Sequence, residues 1–275
     1  MDGSMEQVKR VASALILLPP LILLLLYTSP LVVLLLVCVC IGLSLREYFH
    51  LLHDVCPARC IAVTWIAAFA LALAVYLGGA SWMQPMLFGG VVALTFSVMS
   101  TAAHVTQLWP MFVSSVFGLL FIGWTLSHLL VLRLLPAGPW YLLFLCAVVW
   151  VGDSAAMYVG KSLGRHKLAP AISPGKTWEG AVGGVLGSMG TAVVSAYFWL
   201  PHVRVWQCMV LGGCIALAAQ SSDLGESMLK RYAGVKDSGR LIPGHGGILD
   251  RLDSMLFAAP TLVYALHVLL RMPSL

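Results

Sequence analysis

Residues 205–271 read VWQCMVLGGCIALAAQSSDLGESMLKRYAGVKDSGRLIPGHGGILDRLDSMLFAAPTLVYALHVLLR. Two apolar runs, 205–222 and 254–271, flank a charged and glycine-rich connection from Asp223 to Asp253. Each run has nearly the length, about 20 residues, that carries a helix across a hydrocarbon core of about 30 Å. The 31 residues between them hold five of the eleven carboxylates in the chain. A charged side chain at mid-bilayer costs roughly 2.5–3.5 kcal/mol on insertion scales, so acids set against a span point to function.

Working outward, the 275 residues are 60% hydrophobic and 10% charged. Soluble domains carry about 25% charged residues, so a soluble globular protein is excluded. The formal charge of +5 is spread rather than gathered in one run, which argues against a nucleic-acid partner. The expected fold is an all-α, polytopic integral membrane protein with about nine spans. These fall near 11–28, 30–45, 61–79, 85–103, 110–132, 139–157, 181–199, 205–222 and 254–271. The first follows Lys9-Arg10 but has no cleavage site of small residues, so it reads as a retained anchor.

With the N-terminus in the cytoplasm, thirteen of the sixteen basic residues face inward, leaving Arg133, Arg204 and Arg271 outside. Segments 153–180 and 223–253 then both face the cytoplasm. No acid occurs between Asp54 and Asp153. Residues 1–150 therefore read as transmembrane scaffold and 151–275 as the catalytic region, in one continuous membrane domain. His50, His53, Cys56 and Cys60 fit no familiar zinc spacing and read as a juxtamembrane loop.

Asp223 and Glu226 stand three apart, as do Asp250 and Asp253. On a helix such pairs share a face, with Cβ atoms about 5–6 Å apart. Two helix ends could thus gather four carboxylates around a hard cation such as Mg²⁺, which takes oxygen ligands. The simpler reading has them paired with Arg231 and Arg251. Two pairs bracketing a glycine loop favour the metal. Lys230 and Arg231 could meet phosphate oxygens. Gly246 and Gly247 belong to a loop whose N–H groups could cradle an anion, with Lys236, Asp237 and Arg240 beside it. His245 could donate to a phosphate or cap the loop.

Upstream, Gly175-Lys176-Thr177 imitates a P-loop, but Pro170 stands where the first glycine is required, and no strand is expected before it. Lys161, Arg165, Lys167 and Lys176, with the Ser173 and Thr177 hydroxyls, suit a polyphosphate or an anionic lipid headgroup.

Several runs resemble the signature of the phosphatidate cytidylyltransferase (CDP-diacylglycerol synthase) family, bacterial type. They are Ser227-Met-Leu-Lys230-Arg231, Lys236-Asp237-Ser238-Gly239, Ile242-Pro243-Gly244-His245-Gly246-Gly247 and Asp250-Arg251-Leu252-Asp253. Ser173 to Gly180 matches a second family segment, and the specific resemblance covers roughly residues 150–255. Arg46-Glu47-Tyr48 agrees more loosely. Ser222 stands where the family usually has Gly, and Ala155 and Met157 where it has Gly and Tyr.

The resemblance implies that CTP and phosphatidic acid give CDP-diacylglycerol and pyrophosphate at the inner membrane of a bacterium. It implies Mg²⁺, with K⁺ as a companion cation, on Asp223 and Asp250, helped by Glu226 and Asp253. Lys230, Arg231, Lys176, Ser173 and Thr177 would hold phosphates, His245 would act at the reacting centre, and Arg251 would join the substrate-binding set. A cavity between the late spans would admit the acyl chains. A homodimer is one assembly open to it. The alternative is an ion-coupled transporter using the carboxylates as a cation site, although no internal repeat is visible.

Overall fold

The computed structural model describes residues 20, 22–52, 55–101, 104–239 and 246–270. Its helices are α1 (Pro30–Leu51), α2 (Ala58–Gly78), α3 (Met83–Met99), α4 (Val105–Gly118), α5 (Thr125–Leu134), α6 (Gly138–Leu163), α7 (Trp178–Phe198), α8 (Val205–Tyr232) and α9 (Leu249–Leu270). A π-helical turn, Leu119–Trp124, joins α4 to α5 in one long span. Eight helices among the described residues are long and apolar enough to cross a membrane. They match the last eight expected spans. Most of the first expected span, 11–28, lies outside the described residues.

The α4–α5 span is the most buried of the eight. Its α5 half packs against α1, α2, α6 and α9 and so joins the front helices to the back bundle. That bundle is α6 to α9, with α6 on α7, α7 on α8 and α8 on α9. Lipid tails supply no hydrophobic force between spans, so close backbone approach through small residues has to hold them. The α6–α7 contact shows this. A Cβ added to Gly180 would lie 2.7 Å from the Ala156 carbonyl oxygen, and one on Gly187 would lie 2.7 Å from Ala155 Cβ.

Two helices run further than hydropathy indicates. The expected spans end at 157 and 222, but α6 continues to Leu163 and α8 to Tyr232. Hydropathy marks the lipid-facing core only. Residues such as Glu226, Met228, Leu229, Lys230 and Arg231 are good helix formers and carry α8 onward. Asp153 and Asp223 therefore sit well inside their helices instead of at the tips, ten and nine residues before the last helical residue.

The segment between α6 and α7 also departs from expectation. A strand does precede Gly175: β1 (Lys167–Ala169) pairs antiparallel with β2 (Ser173–Thr177). The pairing sets Lys167 opposite Thr177 and Ala169 opposite Ser173, with an irregular register between. Pro170 takes the second position of the connecting turn, where its fixed φ is favoured, and Ile172 N donates to Ala169 O. Strands this short and irregular leave no alternation to read. The hairpin is not the strand-to-loop entrance of a nucleotide P-loop, and Pro170 has a turn-forming reason to be there.

Candidate active site

The two polar segments meet. Lys176, on β2, places its Nζ 2.6 Å from Asp223 Oδ2 on α8. The contact lacks aligned hydrogen-bond geometry and is an ion pair. Asp153 of α6 lies close enough to Asp223 and Lys176 to interact with both, and its carboxylate accepts the Ser254 hydroxyl of α9. Asp253 lies within the same reach of Asp223 and Asp153. Three helices and the hairpin thus contribute to one polar layer.

A second layer lies toward the end of α8. Glu226 is fully buried, and Lys230 bridges it to Asp250, with Nζ 2.5 Å from Glu226 Oε2 and 2.7 Å from Asp250 Oδ1. The Glu226 contact, too, is an ion pair without hydrogen-bond alignment. Lys230 therefore ties the end of α8 to the start of α9. The four expected carboxylates fall into two groups, Asp223 near Asp253 and Glu226 joined to Asp250 through Lys230.

Asp250 is heavily engaged. Its Oδ2 accepts from Gly247 N at 2.8 Å, Ser238 N at 2.9 Å and the Ser238 hydroxyl at 3.0 Å. Gly246 adopts φ +79°, a left-handed conformation that glycine reaches without strain, and so delivers Gly247 N–H to the carboxylate. These loop amides bind Asp250 itself, a role different from the expected substrate cradle.

The remaining expected residues divide. Thr177 is the N-cap of α7, its hydroxyl accepting from Gly180 N at 3.1 Å. Its O–H proton is still able to donate. Ser173 sits at the hairpin, half-buried, paired with Ala169. Arg231 locks the hairpin to α8, its Nε donating to Ile172 O at 3.1 Å and Nη1 to Val235 O at 3.3 Å. Lys236 and Asp237 are exposed beside Ser238, and Arg251 is exposed on the first turn of α9. Arg240 and His245 lie outside the described residues.

A cavity of about 1080 Å³ adjoins the cluster through Glu47 and Ser238. Arg46 and Lys236 line it together with the acids Glu47 and Asp237, and Leu43, Phe49 and Ile61 give it an apolar wall. It lies between the front helices and the 233–239 turn. Cys56 and Cys60 lie elsewhere, their thiols 3.7 and 3.6 Å from the hydroxyls of Ser115 and Ser97. Burial raises the Cys56 thiol above its ordinary range.

Sequence reasoning missed two participants. Asp153 was visible only as one acid in a polar segment, and its partners are remote in sequence. Glu47 was visible only in a loose resemblance, yet α1 buries it against the start of α9. Its oxygens accept from Ile248 N and Leu249 N, each at 2.9 Å.

Such a site suits two polyanions and a hard cation. Five carboxylates (Asp153, Asp223, Glu226, Asp250 and Asp253) face two ammonium groups, an excess of anionic oxygen donors. Among the described residues, no three His, Cys, Asp or Glu side chains converge closely enough to hold a metal unaided.

The sequence model of the Cytidylyltransferase family matches residues 8–269. The chain belongs to the cytidylyltransferase family. It is also similar to curated relatives named phosphatidate cytidylyltransferase. That of Staphylococcus epidermidis strain RP62A is 37% identical over 182 residues, covering 66% of this chain and 70% of the relative. Those of Staphylococcus saprophyticus and Staphylococcus aureus strain COL are each 36% identical with the same coverage. With the family model spanning nearly the whole chain, the transporter alternative has no support.

Proposed function

We propose that this cytidylyltransferase joins CTP to phosphatidic acid, giving CDP-diacylglycerol and pyrophosphate. The observation that carries the reading is the meeting of carboxylates from α6, α8 and α9 with Lys176 and Lys230, in a chain of this family.

The bond that forms joins a lipid phosphate oxygen to the α-phosphorus of CTP, and the bond that breaks releases pyrophosphate. Both reactants are anions, so alignment and charge neutralisation are most of the catalysis. Asp223 and Asp250, with Glu226 and Asp253, are the proposed cation ligands, and Asp153 joins them. A bound Mg²⁺, with K⁺ as companion, would supply Lewis-acid stabilisation to the phosphate oxygens.

The protein's own groups do the rest. Lys176 swings from Asp223, and Lys230 from Asp250, onto phosphate oxygens as the polyanions arrive. Release of Lys230 also frees Asp250 Oδ1, while the loop keeps Oδ2. The Thr177 hydroxyl donates toward the same oxygens from a fixed N-cap. No strong general base is needed, because the phosphate nucleophile is already ionised. The cavity suits the lipid, with phosphate toward Arg46 and Lys236 and chains along Leu43, Phe49 and Ile61. Since CTP is cytosolic, the site faces the cytoplasmic side of the inner membrane.

The test is product identification. Purified protein in detergent with phosphatidate, CTP and Mg²⁺ should yield CDP-diacylglycerol by mass spectrometry, with one pyrophosphate per lipid. Absence of the lipid product with pyrophosphate still released would sink the assignment of the acceptor.

A further inference from the structure

Glu47 comes from the front helices, far in sequence from every other group at the site. The residue is 8% exposed. Oε1 accepts from Ile248 N, and Oε2 from Leu249 N and from the Ser238 hydroxyl at 2.7 Å. Leu249 opens α9, so the carboxylate satisfies N–H groups that the helix itself cannot, at the end where a negative charge is favoured. The Ser238 hydroxyl stands between two acids, 2.7 Å from Glu47 and 3.0 Å from Asp250. Its single proton serves one at a time, and the shorter contact is to Glu47.

The glycines of the loop take their meaning from this group. A Cβ on Gly239 would lie 2.7 Å from Glu47 Oε1, and one on Gly247 would run into Glu47 Oε2 and the Ser238 hydroxyl. The backbone at 238–239 and 247–249 therefore wraps the carboxylate. The same backbone supplies the Ser238 and Gly247 donors that hold Asp250 Oδ2.

We propose that Glu47 is a positioning residue for the cytidylyl transfer, acting through Ser238 and the first turn of α9 to fix Asp250 and Asp253. The proposal rests on the reading of the site as a CTP:phosphatidate transferase. Both Glu47 oxygens are engaged by the loop and the start of α9, so it acts through them by setting the register between the front helices and the acid-bearing start of α9. A shift of that turn displaces two carboxylates together while leaving Lys176 and Thr177 of the hairpin in place.

Three proteins separate this role from general support: wild type, Glu47→Gln and Glu47→Asp, each purified in detergent. Glutamine keeps the shape but turns an N–H donor toward the loop amides. Aspartate keeps both acceptors on a shorter stem. Glu47→Gln should lower kcat on the order of 10- to 100-fold, the scale of a misplaced reacting group. KM for CTP should stay within about threefold, since a loss confined to kcat marks lost transition-state alignment. Glu47→Asp should recover a large part of the rate.

Hydrogen–deuterium exchange should quicken in Glu47→Gln at residues 246–252 and stay unchanged in α2. Wild-type kcat in Glu47→Gln, unchanged exchange at 246–252, or faster exchange throughout the helices would each overturn the proposal. The last would make Glu47 a prop for the whole fold. Exchange needs no turnover, so it reads the tether even if the wild-type protein forms no nucleotide-linked lipid.

Discussion

Lys230 is the residue on which the second acid layer, Glu226 and Asp250, depends. Its ammonium group is shared by fully buried Glu226 and by Asp250, and only 13% of its side chain is exposed. Removing one partner of a buried pair strands the other charge, at a cost of about 3–5 kcal/mol. Lys230→Ala should lose stability on that scale in thermal unfolding in detergent. Adding Glu226→Gln should restore much of it, and no recovery would show that the pair is not the cause. The carboxylates Asp223, Glu226, Asp250 and Asp253 were legible because each pair repeats at helical spacing beside a span. Asp153 and Glu47 were not, because a lone acid acquires its meaning only from partners that folding brings in. Glu47 meets Leu249 across 202 residues of sequence.

At the scale of elements, the spans were legible because lipid demands long apolar runs. Their ends were not, since helices α6 and α8 continue through polar residues that hydropathy discounts. The β1–β2 hairpin was hidden because three- and five-residue strands containing Pro174 and Gly175 carry no period. The α6–α7 contact offers a test of close approach. Gly180→Ala puts a Cβ against the Ala156 carbonyl and should cost about 1–3 kcal/mol, as overpacking does. A Cβ on Gly175 meets nothing within 4 Å, so Gly175→Ala should stay within about 0.5 kcal/mol. Equal thermal unfolding of the two variants would contradict the packing described.

Across the whole molecule, the distribution of the basic residues predicts the orientation. Both polar segments converge on one site, so they share a side of the membrane, as the positive-inside count expects. Lys167 is exposed on the hairpin, and Arg204 is exposed at the start of α8. With the seven native cysteines replaced, Lys167→Cys should react with an impermeant maleimide only in inside-out vesicles, and Arg204→Cys only in right-side-out ones. The reverse pattern would place the site outside, away from its nucleotide.

Acids from three helices meet at one site, where we propose that a bound cation brings two anionic reactants together. The most direct measurement is incorporation of radiolabelled CTP into phosphatidate by wild type and Asp223→Asn, each assayed with Mg²⁺ and with chelator. Wild type should label lipid with Mg²⁺ and stop with chelator. Asp223→Asn, still folded, should fall by two orders of magnitude or more, roughly the loss of a group acting on the reacting phosphates. Full labelling in chelator, or by Asp223→Asn, would contradict the account.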